Sequence, residues 1–292
     1  MVLSFIFLFL AFGLQTALYI LEGWHQTWWM FWTWIVFPFA FYWGLFAIYC
    51  FFIIVINALM NNKAPKKPSK VAQFFVTNTV FIVLLFMRVR LHVKGMGKLP
   101  KKGVRFMVVH NHVSMFDEFV LIHALRHHEM LYVSKEGNFK LPGGGNWIRK
   151  AGYISLVQGD LKSGTEAVNQ GAKAINSGKY SVCVAPEGTR NKEFPNPQLL
   201  PFHYGTFNMA KQANNCPIVV ISLQNTYGVA KRWPLKSTHI YLDVVGVIDG
   251  EEVASSSTQD IAEHARSLIL RRFEEKQARF YHLDGKKPEK AK

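Results

Sequence analysis

The sequence predicts an α/β protein: a wound, mostly parallel or mixed sheet flanked by helices, preceded by membrane helices at the amino terminus. Three observations carry that prediction. From Val89 onward, short runs rich in Val, Ile, Tyr and Phe alternate with helix-length stretches. Ahead of Val89 the chain holds charge-free apolar runs of bilayer-spanning length. The 292 residues are 50% hydrophobic and 14% aromatic, with 34 Lys and Arg against 19 Asp and Glu, for a net charge of +15. Such a charge calls for an anionic partner, either a phospholipid surface or nucleic acid, and the apolar amino terminus selects lipid over nucleic acid.

Taken in order, Val2 to Leu21 contains no charged residue, and as a helix of about 30 Å it matches a hydrocarbon core. A cleaved signal is the rival reading. It is disfavoured because no basic segment precedes the run and Glu22 to Thr27 offers no small-residue cleavage site. Trp28 to Leu59 is a second uncharged run, with Pro38 expected to kink it and Trp24, Trp28, Trp29, Trp32 and Trp34 suited to an interfacial belt. Residues 1–60 are therefore expected to form two membrane-spanning helices that return the chain to its starting side.

Residues 61–88 read as a basic linker and an interfacial helix. Asn61 to Lys70 carries four lysines, which the positive-inside rule assigns to the cytoplasm. Val71 to Met87 is apolar but interrupted by Gln73, Thr77, Asn78 and Thr79, and Arg88, Arg90 and Lys94 follow it. With basic segments on both flanks it is expected to lie in the cytoplasmic leaflet rather than to span, the alternative being a buried core helix.

Residues 89–282 are expected to form the α/β domain. Candidate strands are Arg90–Val93, Val104–His110, Met130–Val133, Tyr153–Val157, Tyr180–Ala185, Ile218–Leu223 and His239–Val247. Candidate helices are Phe116–His128, Gly164–Asn176 closed by Gly178, Gly205–Gln212, and Gln259–Phe280 opened by a Ser/Thr run. Residues 283–292 form a lysine-rich tail expected to be disordered. Cys50, Cys183 and Cys216 are scattered in apolar runs, so they read as buried thiols in a reducing compartment rather than as a disulfide framework or metal site.

The chemistry centres on Val109 to Asp117. His112 falls in the turn after a strand, where α/β sheets gather their ligands. Asp117, one turn into the next helix, can reach back to one imidazole nitrogen and leave the other basic. The competing structural reading is a capping box from Ser114 to Asp117. A second strand-end motif, Val184-Ala185-Pro186-Glu187-Gly188-Thr189-Arg190, favours the chemical reading.

Together these stretches resemble the glycerolipid acyltransferase family, over roughly residues 90 to 225. Asn111, His112 and Asp117 match its first motif, and Pro186 to Arg190 complete its third. Two positions depart from the family pattern: Gln158 stands where the second motif ends in arginine, and Val220 where the fourth has proline. The resemblance implies a membrane-bound O-acyltransferase that moves a fatty acyl chain from acyl-CoA or acyl-carrier protein to a lysophospholipid hydroxyl. The expected acceptor is 1-acylglycerol-3-phosphate, giving phosphatidic acid, with the catalytic domain on the cytoplasmic face. No cofactor is expected, the acyl donor being a substrate, and the oligomeric state stays open.

Acyl transfer to an alcohol needs a base for the hydroxyl, and an imidazole with an ordinary pKa of about 6.5 suits that role. His112 and Asp117 are thus the candidate catalytic residues, and Ser114 is expected to cap its helix rather than to act as a nucleophile. Candidate substrate-binding residues are Glu187, Gly188, Thr189, Arg190, Gln158 and Lys135. Arg190 can grip phosphate with its planar fork, and Gly188 lets backbone approach an anion. Glu187 is expected to orient Arg190 or to accept from the glycerol hydroxyl. Lys135, Lys140, Arg149 and Lys150 are candidates for the phosphates of the donor. In place of the arginine missing at Gln158, the expected cation is one of Lys150, Lys162 and His203, and the alternative is a phosphodiester acceptor.

Other readings are weaker. His123 and His127 have two-histidine spacing, but His-Ala-Leu-Arg-His places an arginine inside it and lacks the glutamate of a zinc protease helix. Gly143 to Gly145 lacks the Lys-Ser/Thr of a phosphate loop and is expected to be a flexible turn. A non-catalytic, membrane-tethered lipid-binding protein of the same fold is the competing class, favoured only by Gln158 and Val220.

Overall fold

The computed structural model describes residues 2–21, 33–195 and 198–283. Trp24, Trp28, Trp29 and Trp32, the Glu22 to Thr27 stretch and the lysine-rich tail lie outside them. The described chain forms two compact units, Met1–Ile82 with Gly137–Gly152, and Val83–Glu136 with Tyr153–Lys292. The insertion of residues 137–152 into the first unit differs from the continuous domain expected over 89–282.

The first unit is helical. α1 (Val2–Leu21) and α2 (Thr33–Leu59) contain no charged residue, and α2 continues through Pro38. Within α2, Val36–Leu59 has a mean hydropathy of 2.3 and is long and apolar enough to cross a membrane. α3 (Lys70–Phe86) is a shorter apolar helix, tied to α2 where Tyr49 Oη meets Thr79 Oγ1 at 2.7 Å.

Residues 137–152 clasp the end of α2 with polar groups. The Asn57 side chain donates to the Pro142 carbonyl at 2.6 Å and accepts from the Asn146 N–H at 2.8 Å. Asn146 Nδ2 donates to the carbonyls of Asn57 and Met60, and Trp147 Nε1 to that of Ile53. The Asn57 and Met60 carbonyls are among those that the helix end leaves without intrahelical donors. The short α5 (Gly145–Lys150) begins where a Cβ on Gly145 would collide with the Phe139 carbonyl. Within the glycine triplet only Gly145 is closely packed, a Cβ on Gly144 meeting open space and one on Gly143 only Ile54 at 4.0 Å.

The second unit is a seven-stranded sheet in the order β1-β7-β6-β2-β5-β3-β4. Its strands are β1 (Val89–Lys94), β2 (Met107–His110), β3 (Met130–Lys135), β4 (Ile154–Leu156), β5 (Ser181–Val184), β6 (Ile218–Gln224) and β7 (Thr238–Ile248). All adjacent pairs are parallel except β6 with β7. β2, β5 and β6 are buried at every position, as expected of central strands covered on both faces. The covering helices are α4 (Phe116–Ala124), α6 (Leu161–Asn176), α7 (Asn208–Gln212), α8 (Gly228–Arg232), α9 (Gly250–Ser255) and α10 (Thr258–Leu283).

Local chemistry starts and stops these helices. Asp160 caps α6 by accepting from the Lys162 and Ser163 amides. Gly178, at φ +70°, ends it with an N–H to the Ile175 carbonyl. Ser257 and Asp260 form a reciprocal box at the start of α10. One core joins Met107, Val109, Val182, Val184, Phe207, Ile218, Val220, Ile261 and Ile269. Val220 belongs to it, fully buried in the middle of β6. Cys183 and Cys216 are buried free thiols and Cys50 is half-buried.

Candidate active site

β2 and β5 are parallel neighbours, so the turns that follow them emerge side by side at the carboxyl end of the sheet. That topology brings together two motifs more than 70 residues apart.

His112 Nδ1 lies 2.9 Å from Asp117 Oδ2. The same oxygen accepts from the backbone N–H groups of Val113 and Ser114, each at 2.7 Å. Asp117 is fully buried. A carboxylate held by three donors has one position, and it fixes the imidazole with Nδ1 engaged and Nε2 available. Ser114 Oγ accepts from the Phe116 N–H at 3.2 Å, which is the capping role expected of it.

The second motif clamps the backbone of His112. Glu187 Oε1 accepts from the His112 N–H at 2.7 Å, and the Asn191 N–H donates to the His112 carbonyl at 2.7 Å. Glu187 Oε2 takes the Leu200 N–H at 3.0 Å. Both carboxylate oxygens are thus spent on backbone amides, and the side chain is 2% exposed. This corrects the expectation that Glu187 orients Arg190 or meets an acceptor hydroxyl. It joins the β2–α4 turn to two points of the β5–α7 connection instead.

Asn111 holds the turn from the other side. Its fully buried amide donates to the Leu223 carbonyl at 2.9 Å and accepts from the Leu223 N–H at 2.7 Å, extending the β2–β6 ladder beyond the last strand residue. This role, like those of Asn191 and Leu200, was not legible in the sequence, because each partner is distant along the chain. The Asn-His pair at a strand end was the only available signal.

Electrostatics favour a charged imidazole. Burial lowers the His112 pKa, but the hydrogen bond and charge of Asp117, joined by Glu118 and Glu187, outweigh it and hold the pKa above the usual 6.5. Burial drives Glu187 the other way from an ordinary acid, up to about 7, against the opposing pull of the His112 and Leu200 amides. Glu118 is also raised by burial, with the charges of His112 and Arg190 acting against the shift. His110 is fully buried and pushed down to about 4, first by burial and then by His112, so it is neutral.

The remaining candidates divide. Gln158 Nε2 donates to the Gly188 carbonyl at 2.7 Å, which places the β4 turn on the Glu-Gly-Thr-Arg loop. Gly188 has φ +66°, and a Cβ there would stand 2.9 Å from His203 Cδ2. His203 is thus beside Gly188, the residue whose carbonyl Gln158 holds. Thr189 and Arg190 are exposed in the same turn, and Arg190 is close enough to bias Glu118. Lys135 is exposed at the end of β3, level with Leu156 of β4. Lys140, Arg149 and Lys150 belong to the first unit. There Arg149 lies over the Phe139 ring, and Lys150 Nζ donates to Asn61 Oδ1 and the Lys63 carbonyl. Among the described residues no group of three or more His, Cys, Asp or Glu is gathered as a metal site.

A strand-end His–Asp pair with one imidazole nitrogen left available can serve as a general base, and comparison with known proteins gives the class. Residues 90–224 match the Acyltransferase family model. A 1-acyl-sn-glycerol-3-phosphate acyltransferase of Haemophilus influenzae is 25% identical over 60% of this chain and 71% of its own length. A chloroplastic enzyme of the same name from Arabidopsis thaliana is 27% identical over 62% of this chain and 48% of its own length. In fold, the chain is similar to the crystal structure of PlsC, the 1-acyl-sn-glycerophosphate acyltransferase of Thermotoga maritima. The TM-score is 0.58 at 21% identity, covering 80% of this chain and 90% of that one. The match marks residues 90–224 as an acyltransferase domain, and the relatives similar to it over this stretch are 1-acyl-sn-glycerol-3-phosphate acyltransferases.

Proposed function

We propose that this enzyme is membrane-bound and transfers a fatty acyl chain from acyl-CoA or acyl-carrier protein to the free hydroxyl of 1-acylglycerol-3-phosphate, forming phosphatidic acid. The observation that carries the reading is the His112–Asp117 pair, locked by Glu187 and Asn191 beside a loop that ends in Arg190. His112 Nε2 takes the proton of the acceptor hydroxyl as its oxygen attacks the thioester carbonyl. The tetrahedral intermediate then collapses, the carbon–sulfur bond breaks, and the thiolate leaves and is protonated. Asp117 stabilises the imidazolium between these steps. No acyl-enzyme is needed.

Arg190 receives the acceptor phosphate, with Gly188 and Thr189 shaping the approach. His203, packed on the Gly188 whose carbonyl Gln158 holds, stands in for the arginine that Gln158 replaces, with Lys162 the alternative cation. Membrane attachment is supported by α2 and its apolar neighbours α1 and α3. We place two spans in residues 1–60 and the catalytic unit on the cytoplasmic face.

Gln158 also supports a second reading, a lysophospholipid whose head group is a phosphodiester. An amide donates hydrogen bonds without charge, and charge-assisted bonds are roughly twice as strong as neutral ones. Acylation of lysophosphatidic acid and lysophosphatidylglycerol from a radiolabelled donor, with Gln158→Arg alongside, separates the two. A preference for the monoester is expected. A clear preference for the diester in the unaltered enzyme would replace the first reading by the second.

A further inference from the structure

Apart from the His112 region, the second unit holds a charged cavity of about 400 Å³ between β1, β7 and α10. That volume falls among those of small-ligand pockets, about 300–1,000 Å³. β6 and β7 stand between β1 and the β2 strand that carries the His112 turn, and no lining residue belongs to that turn or to the Glu187–Arg190 loop. Two glycines shape the cavity. Gly95, in the left-handed region at φ +76°, lets the turn after β1 press onto β7, where a Cβ would stand 2.6 Å from the Val244 carbonyl oxygen. Gly246 admits Leu268 of α10, whose Cδ1 lies 2.7 Å from where a Cβ would stand, and Leu268 becomes part of the cavity wall.

Four cations line the cavity, Lys94, Lys98, Arg271 and Arg272, against two acids, Asp243 and Glu275. One guanidinium holds both acids: Arg272 Nε lies 3.3 Å from Asp243 Oδ2, and Arg272 Nη1 lies 2.7 Å from Glu275 Oε2. Lys98 Nζ donates to the Val245 carbonyl at 3.4 Å, which sets its ammonium against the β7 wall. Lys94, Lys98 and Arg271 have no carboxylate within ion-pair distance among the described residues. Three like charges around one concavity repel one another, and an anion shared among them offsets that repulsion.

We propose that this cavity binds a soluble anion carrying a phosphate monoester or diphosphate, at a site separate from the catalytic one. The planar fork of Arg271 can grip two oxygens of such a group, while the two lysines act as point charges on the rest. A lipid is the less suited source of the same phosphate chemistry. Leu268, Val244 and Val245 supply the apolar part of the lining, which is too little wall for an acyl chain. Bound there, the anion ties the turn after β1 to α10, so it stabilises the folded unit by mass action. The proposal does not depend on the acceptor assigned above.

The test is isothermal titration calorimetry of the full chain in detergent with pyrophosphate, at constant ionic strength. It is run in the Arg190→Ala background, which removes the cation assigned to the acceptor phosphate. Saturable binding at millimolar pyrophosphate or below is expected, with a rise in melting temperature. Lys94→Gln/Arg271→Gln, at two exposed positions, should weaken that binding about tenfold or more, because two charged partners are lost. Lys173→Gln/Lys179→Gln, which removes two exposed charges at the far side of the sheet, should leave it unchanged. Absence of binding overturns the site, and equal weakening by both double variants reduces it to the general attraction of a basic protein for anions. Phosphatidic acid added to the micelles should not displace pyrophosphate, and displacement overturns the soluble class of ligand. With Arg190 restored, Lys94→Gln/Arg271→Gln should keep the turnover of the unaltered enzyme. A folded double variant with lost turnover would place the cavity in the catalytic machinery and overturn the separate site.

Discussion

At His112 two opposing effects meet, desolvation favouring the neutral ring and nearby carboxylates favouring the charged one, and the carboxylates win. The low-pH limb of kcat/KM should therefore fall above the ordinary 6.5 of imidazole. Asp117→Asn removes the main stabilising charge, so the limb should move to lower pH while kcat drops. A pH–rate profile measures both, and an unmoved limb would show that a different group titrates. Gly188→Ala combines a left-handed backbone with a Cβ 2.9 Å from His203. An αL penalty of about 1–2 kcal/mol plus displacement of His203 should lower stability modestly and acceptor affinity more. Thermal unfolding and KM for the acceptor, measured together, check that split.

Among the elements, every strand position was legible, because runs such as Ile218 to Leu223 and the longer His239 to Val247 have no other reading in an alternating chain. Boundaries moved where tertiary structure intervened. β2 begins at Met107 rather than Val104 because its parallel partners Val182 and Ile218 start there. α4 ends at Ala124, short of His128. Short helices such as α5, α8 and α9 carry too few residues to show a period, and they escaped notice. The His–Asp turn was visible as a motif, while the Glu187 clamp and the Asn111 ladder were not, since backbone amides leave no trace in a sequence. The clamp makes its own prediction. In Glu187→Gln one of the two backbone donors faces an amide NH₂, which should cost about 1–3 kcal/mol. Activity should fall as well, because the His112 turn loses its anchor, and a Gln variant of unchanged melting temperature would contradict the clamp.

For the whole molecule, two groups at one site give stability a pH slope of known sign. Glu187 is raised to about 7 from its ordinary 4.5, so the folded state holds its proton where the unfolded chain has released it. That contribution is complete below about pH 4.5 and is lost as pH climbs toward 7. His112, also raised, adds a loss of the same sign beginning at its ordinary value. The melting temperature in detergent should therefore fall as pH rises from about 4.5 to about 7 through Glu187 and further above the ordinary imidazole value through His112, and Glu187→Gln should flatten the slope. The assignment of His112 as the base is where fold, clamp and proposed chemistry converge. Its most direct test is the initial rate of radiolabelled acyl transfer to lysophosphatidic acid by the full chain and by His112→Ala, with circular dichroism to confirm the fold. The expected result is product formation by the unaltered enzyme and a loss of about 10²–10⁴ in turnover in the variant. A folded His112→Ala enzyme of near-normal rate would contradict it.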